Sequence, residues 1–444
     1  MSIYIISVYL LCFLAPFFVT VIFQLTLGAP AAALYVFPFL LFIYLAKHKS
    51  VRFDRVQLIF LLVYFSPPLL YSLIGAFFSL STSPHGLDYS FYHALSIGRY
   101  INIISLFSFF IIVVDYYNRL VGYESKYRFF VKLVWAYLVS LLLIIALGYW
   151  QVFSLIFSSI PFPFDTRGAV HGVEDAAKFA GVTRLTSIAN EPSYFAPLII
   201  DTIILSFAVV AYKTARLIAF FCLVLLIFTF SGGGYLNIVV IFTVITCALI
   251  FRAITVWKIR RGLIKYCVVL LCVFLAIVFL LASTGLGSII VDRVPQLIDV
   301  HSSTRAYMVF MPFVWAVESG VVNFLFGHGV KSYALLGEVY TITSSGDPVH
   351  VTSNNLFVDI FWEYGLVGLV SVIAFFVYII IKSVTPKAML REHWFSLFLV
   401  SHLIGSSIYR GDFASPRFFI LIVSILFLIN LATVRANSKR GMYD

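Results

Sequence analysis

A chain of 444 residues that is 62% hydrophobic and only 11% charged is excluded from the soluble globular class, because a folded core leaves too much of its surface near water to hide that much apolar side chain. A formal net charge of +11 would suggest nucleic acid as the partner of a soluble protein. Here the cations fall in gaps between long apolar runs, where the positive-inside rule accounts for them, so lipid is the expected solvent and nucleic acid is not an expected partner.

A membrane span needs about 20 apolar residues, and about twelve such stretches follow one another along the chain. Their centres lie near Leu11, Phe37, Leu69, Phe109, Leu141, Ile203, Leu225, Phe242, Leu275, Ala374, Leu403 and Ile425. The first run has no basic residue ahead of it and no convincing cleavage site after it, which suits an uncleaved span. With the amino terminus inside, the inner gaps collect most of the Lys and Arg residues: Lys47 to Arg55, Arg119 to Lys132, Lys213 and Arg216, Arg252 to Lys265, Lys382 to Arg391, and Arg435 to Arg440. Both termini are therefore expected on the cytoplasmic side of an all-α, polytopic membrane protein with a single domain, 1–444. Pro67 and Pro68 fall within the third span and should kink it, since each proline removes a backbone donor. The halves show no internal repeat, which weighs against an inverted-repeat transporter. Cys12, Cys222, Cys247, Cys267 and Cys272 all lie in apolar runs without a CxxC pair and read as small hydrophobes, neither disulfides nor metal ligands.

Two outer segments, about 151–193 and about 285–355, are unusually long, and long loops are commonly functional. They carry most of the outer ionisable residues, among them Arg184, Glu191, Arg293, Arg305, Lys331 and His350. The apolar, aromatic stretch from Arg305 to Glu318 suits a helix lying in the outer interface or dipping back into the bundle.

Three constellations stand out. In RLTSIANEPSYFA, Arg184 to Ala196, Asn190 can cap the following helix, Pro192 suits its first turn and Glu191 favours the positive end of its dipole. A cap leaves Arg184 unexplained, because a cation gains nothing at a helix start. In SGGGYL, Ser231 to Leu236, the glycines either form a tight hairpin between spans or let a phosphate approach a helix amino terminus through Gly232 and Gly233. The third constellation is Ser303 to Tyr333, with Arg305, Gly327 and Gly329, followed by His350 to Val370, with Asn354, Asn355, Glu363, Gly365 and Gly368.

On these last residues the chain resembles the O-antigen polymerase and ligase family of bacterial envelopes. The shared features are an arginine in the large outer loop, a Gly-x-Gly, and a polar pair opening the next span, with Glu363, Gly365 and Gly368 at set spacing behind it. The EPS-like motif at Glu191 to Ser193 agrees with the polymerases. Ligases carry a histidine at the first residue of the polar pair; here the frame of Gly365 and Gly368 places Asn354 there, with Asn355 next. Asparagine takes no proton near neutral pH, so the resemblance favours a polymerase, although His350 lies four residues upstream. A second departure is the missing arginine near SGGGYL.

The resemblance implies a glycosyltransferase in the bacterial inner membrane with its site facing the periplasm. A hydroxyl of an incoming lipid-linked repeat unit attacks the anomeric carbon of the growing chain, and undecaprenyl pyrophosphate leaves. Guanidinium suits such a leaving group because it binds phosphate bidentately and stays charged. Arg305 comes first, then Arg184, with Arg293 and Arg410 as further candidates and lipid-headgroup anchoring as the alternative for each. Glu191 and His350 are the candidates for general base. Asp201 and Asp359, deeper in their spans, suit either function or a structural hydrogen bond. No cofactor or metal is expected. The implied partners are undecaprenyl-pyrophosphate-linked oligosaccharides, membrane lipids and a separate co-polymerase that sets chain length. The alternatives are a ligase joining polymer to lipid A core, and a non-enzymatic flippase of lipid-linked sugar.

Overall fold

The structure, a computed structural model, describes residues 3–26, 28–82, 89–90, 92–157, 160–164, 178–179, 182–256, 304–336, 353–386, 389–411 and 413–440. The span expected around Leu275 and much of the second outer segment lie outside the described residues.

Among the described residues the long apolar segments are helical, the form that satisfies backbone polar groups without water. Helices α1 (Ile3–Leu14), α2 (Val21–Leu25), α3 (Ala29–Tyr35) and α4 (Phe37–Lys47) open the chain. They are followed by α5 (Arg55–Ser66), α6 (Ser72–Thr82), α7 (Tyr92–Arg119) and α8 (Tyr123–Ile156). Next come α9 (Pro192–Val209), α10 (Tyr212–Phe228) and α11 (Gly232–Val256), then the short α12 (Thr304–Glu318) and α13 (Val321–Phe326). Helices α14 (Leu356–Val384), α15 (Arg391–Ser407) and α16 (Pro416–Arg440) close the chain. Among the described residues, eight helical stretches are long and apolar enough to cross a membrane, running through α3–α4, α5–α6, α7, α8, α9, α11, α14 and α16. Two short strands, Lys178–Phe179 and Val182–Thr183, pair antiparallel in the segment before α9.

Local sequence explains where several helices start and bend. Asp54 and Gln57 form a reciprocal capping box at α5, each side chain bonding the other's backbone N–H at 2.8 Å. The paired prolines make a π-turn, Pro67–Tyr71, that joins α5 to α6 without ending the helical path.

Helix α16 is the centre of the bundle: 83% of its apolar window is buried, against 22% for α11 at the periphery. An aromatic knot ties the centre together, with Phe60 packed against Phe65, Phe110, Phe375 and Phe419. One end of the bundle is clamped by ion pairs. Asp115 accepts from Tyr44 at 2.5 Å, from the Arg52 backbone at 2.7 Å and from Arg119 at 2.6 Å. Glu392 accepts from Tyr123 and Arg435, both at 2.8 Å. Arg252 reaches the carbonyl of Pro386 and Arg391 that of Phe207 at the same end. These are cations of the gaps assigned to one side from sequence. Arg184 and Arg410 lie at the opposite end.

Candidate functional site

The segment ahead of α9 is drawn into the bundle. Leu185 to Ala189 are buried, and Gln151 of α8 accepts the backbone N–H groups of Thr186 and Ser187 at 3.0 and 2.7 Å. Val21 donates to the Ile188 carbonyl, and Thr20 bridges Ala189, so the break after α1 holds the other edge of the segment. This anchoring carries Arg184 to the end of α10, where its Nε donates to the Thr229 carbonyl at 3.4 Å and its charge faces Tyr235 in the first turns of α11.

Helix α9 begins at Pro192 with Glu191, not Asn190, as its N-cap residue. The Glu191 carboxylate makes no cap bond to the backbone; it accepts from Ser193 Oγ at 2.7 Å. Helix α11 begins at Gly232, and Ser231 Oγ accepts the Gly234 N–H at 3.2 Å. The glycines divide by environment. A Cβ on Gly233 would meet the Tyr409 ring at 2.6 Å and one on Gly234 the Ala196 methyl at 2.7 Å, whereas Gly232 faces open space. Close packing therefore accounts for two of the three.

Arg410 belongs to the turn between α15 and α16. Only 2% exposed, its guanidinium lies over the Tyr194 ring at 4.1 Å, and Nη1 donates to the Tyr194 carbonyl at 3.4 Å. Beneath it, Arg417 in the first turn of α16 is 1% exposed and holds Asp201 of α9 with two bonds of 2.8 and 3.1 Å. Tyr137 donates to the same carboxylate at 2.8 Å. His402 places Nε2 2.7 Å from Asp201 and 3.0 Å from the Arg417 guanidinium, and Nδ1 3.0 Å from the Asn237 amide nitrogen. Asn237 also donates to the Tyr409 hydroxyl at 3.2 Å. The first turns of α11 thus stand between Arg184 on one side and Tyr409 and Arg410 on the other. Among the described residues, three arginines stand here beside the carboxylates of Asp201 and Glu191.

A second polar cluster lies where α14 breaks. Gly365 has φ 69° and ψ −170°, and a Cβ there would overlap the backbone of Leu325. Gly327, at φ 79°, lies equally close to the backbone of Glu363. Carbonyls freed near the break are satisfied from this neighbour: His328 N donates to Trp362 O at 2.8 Å and Gly329 N to Glu363 O at 3.1 Å. The recurring glycine spacing in the two motifs is therefore a backbone-to-backbone crossing. It sets Glu363, Asp359 and Lys331 around Arg99 of α7, with Tyr64, Tyr92 and Tyr364 beside them. Burial, then the neighbouring Arg99 charge, hold the Lys331 ammonium below its usual pKa.

The sites expected from sequence separate accordingly. Arg184, Glu191, Gly232, Gly233 and Arg410 meet at one end of the bundle. Asn355 caps α14, its Oδ1 accepting Phe357 N and Val358 N at 3.0 and 3.3 Å, and Asn354 takes the left-handed conformation that starts the turn. Arg305 lies in α12, which packs on α13 and α14; its side chain, together with Arg293 and His350, lies outside the described residues. Arg99, His402 and Arg417 were not singled out by sequence reasoning. Their signal is an ionisable residue within or at the end of an apolar run, which in lipid is functional by default.

No family model matches the chain, and no curated protein is significantly similar to it.

Proposed function

We propose that this protein is an inner-membrane glycosyltransferase that polymerises O-antigen or a related surface polysaccharide, moving the growing glycan from undecaprenyl pyrophosphate onto an incoming lipid-linked repeat unit at the periplasmic face. The observation that supports this reading is the meeting of Arg184, Glu191 and Arg410, drawn from three distant segments, about the first turns of α11 and above the buried Arg417. In a twelve-span frame with both termini cytoplasmic, that end faces the periplasm.

A diphosphate leaving group needs fixed donors that stay charged, and Arg184 and Arg410 supply them, with Arg305 and Arg293 from the second outer segment. The acceptor hydroxyl forms its bond to the anomeric carbon as the carbon–oxygen bond to the diphosphate breaks, and Glu191 or His350 takes the hydroxyl proton. Asp201, itself bonded by Tyr137, holds Arg417 in place, and Tyr194 holds Arg410.

The test is reconstitution. Purified protein given lipid-linked repeat units in detergent should form polymer, and failure to do so with native substrate overturns the reading. A flippase is the second reading, favoured by the charged groups Arg99, Glu363, Asp201 and Arg417 inside the bundle. Polymer formed without a bilayer excludes pure transport. A ligase is separated by deletion, which would leave lipid A core with no glycan instead of core bearing one repeat unit.

A further inference from the structure

We propose that Lys213, Arg216 and Arg391 form a binding site for a phospholipid whose headgroup carries two phosphodiesters, in the leaflet at the end of the bundle where Arg119, Arg252 and Arg435 gather. The site is independent of the reaction proposed above and lies at the opposite end of the molecule from Arg184 and Arg410.

Both guanidiniums are held before any ligand arrives. Arg391 Nη2 donates at 2.6 Å to the carbonyl of Phe207 in the last turn of α9, and its guanidinium lies 5.2 Å from the Phe395 ring centroid. Arg216 donates to the Tyr212 hydroxyl at 2.8 Å and stands 4.1 Å over that ring. The Phe207 and Tyr212 rings meet with centroids 5.9 Å apart, so the residue that holds Arg391 touches the residue that holds Arg216. Capping the end of α9 explains one of these cations. It does not explain Lys213 and Arg216, which stand in the first two turns of α10, where the helix dipole disfavours positive charge and no acid offsets it.

Charge gives the class of headgroup. A guanidinium has five N–H donors, and each of these two uses one in the bonds above. Lys213, Arg216 and Arg391 are exposed, and none forms an ion pair among the described residues. Carboxylates of this end are engaged elsewhere: Asp115 by Arg119, Glu124 by Arg128 and Glu392 by Arg435. Two fixed forks, one on either side of the Phe207–Tyr212 contact, match two phosphates, whereas a single phosphodiester needs only one.

The apolar surroundings assign those phosphates to a lipid. A helical stripe runs from Arg216 through Phe220, Leu223 and Ile227, all three of them exposed. Arg216 to Ile227 rises roughly 16 Å. One leaflet is half of a hydrocarbon core about 30 Å thick. A headgroup held at Arg216 therefore lays its acyl chains along α10 for the depth of that leaflet, and a free phosphate would leave the stripe unused.

The experiment uses the full chain, purified in detergent and stripped of lipid, with cardiolipin, phosphatidylglycerol or inorganic pyrophosphate added. Native mass spectrometry reads binding, and thermal unfolding reads the fold of each variant. Cardiolipin should bind the wild type about fivefold or more tightly than phosphatidylglycerol, and pyrophosphate should not displace it. Arg216→Gln and Arg391→Gln should each weaken cardiolipin about fivefold, and the two together about 25-fold. Arg128→Gln, at an exposed arginine of the same end that is paired with Glu124, should leave binding unchanged. Arg391→Gln also uncaps the end of α9, so Arg216→Gln decides the matter if the former does not fold. The proposal is overturned if a folded arginine variant binds cardiolipin like the wild type, if Arg128→Gln weakens it as much as Arg216→Gln, or if phosphatidylglycerol binds as tightly as cardiolipin. Displacement by pyrophosphate would make the patch a site for soluble phosphate, and the lipid assignment would fall.

Discussion

The guanidinium of Arg410 lies over the ring of Tyr194, 4.1 Å from its centroid and 216 residues away in sequence. The turn that carries it is tied on both sides: Tyr409 accepts from Asn237 and packs on Gly233, and Phe413 stacks on Tyr64. A short connection between two spans is thereby fixed to α5, α9 and α11, so Arg410 is held in position without a ligand.

Arg410→Ala should therefore abolish long glycan chains while leaving protein abundance near normal. Arg410→Lys keeps a charge but loses the planar fork, and should restore little of the product. Tyr194→Leu removes a stacking interaction worth about 0.5–2 kcal/mol and should lower polymer yield part of the way. Electrophoresis of the surface glycan, with membrane protein measured beside it, checks all three. A full-length ladder from Arg410→Ala would remove that residue from the site.

The glycines of α11 give a sharper discrimination. Gly232 faces open space at the start of a helix, so Gly232→Ala should leave stability unchanged or raise it by about 0.5–1 kcal/mol. Gly233→Ala must displace the Tyr409 ring, and with it the turn that carries Arg410. Polymer should survive the first change and fall with the second. Loss of product from Gly232→Ala in a stable protein would instead support close approach of a phosphate to that backbone.

Asp201 and Arg417 form a buried pair on which α9 and α16 depend. Asp201→Ala strands a guanidinium that is 1% exposed, a change that typically costs about 3–5 kcal/mol. Replacing both, as Asp201→Leu with Arg417→Met, should recover most of that loss, because an apolar pair avoids the desolvation penalty. Thermal unfolding in detergent compares them. If the double variant is as unstable as Asp201→Ala, the pair is not where the energy lies.

Much of the architecture was legible from hydrophobic runs alone. Each expected span centre within the described residues, from Leu11 to Ile425, falls in a helical segment, and the cations of the gaps around Arg52, Arg119, Arg252, Arg391 and Arg435 share one end of the bundle. The site was legible only in part. Arg184, Glu191 and Arg410 could be named because they stand in or beside outer loops. Arg99 and Arg417 could not, because an arginine near the end of an apolar run reads equally well as one whose head snorkels to the interface. The regular spacing of Gly327, Gly365 and Gly368 was visible, but a backbone crossing is a relation between two segments, and one-dimensional spacing does not carry it.

Lys331 makes a pH-dependent prediction. Its folded pKa is lowered by burial and by Arg99, while in the unfolded chain it returns to about 10.4. Below the folded value both states are protonated and the fold bears the whole penalty. Between the two values the unfolded chain binds more protons, so stability rises with pH across that window. Lys331→Met should be more stable than the wild type at neutral pH, and the difference should shrink as pH climbs toward the ordinary lysine range. A constant difference across that range would place the effect in packing instead of charge.

Arg305 tests whether the second outer segment joins the first. It lies in α12, which packs on α13 and on the broken helix α14, and Tyr333 donates to the Met308 carbonyl at 2.8 Å to hold that helix down. Arg305→Ala keeps Tyr333, Met308 and the bond between them, and abundance and unfolding temperature should stay close to wild type. Long chains should vanish while single repeat units still reach lipid A core, because the cap needs no polymerisation. Tyr333→Phe loses one buried hydrogen bond, worth about 1 kcal/mol, and should loosen α12 enough to shorten the ladder without erasing it. A normal distribution of chain lengths in Arg305→Ala would confine the diphosphate to Arg184 and Arg410, and α12 would then serve only to cover the break at Gly365.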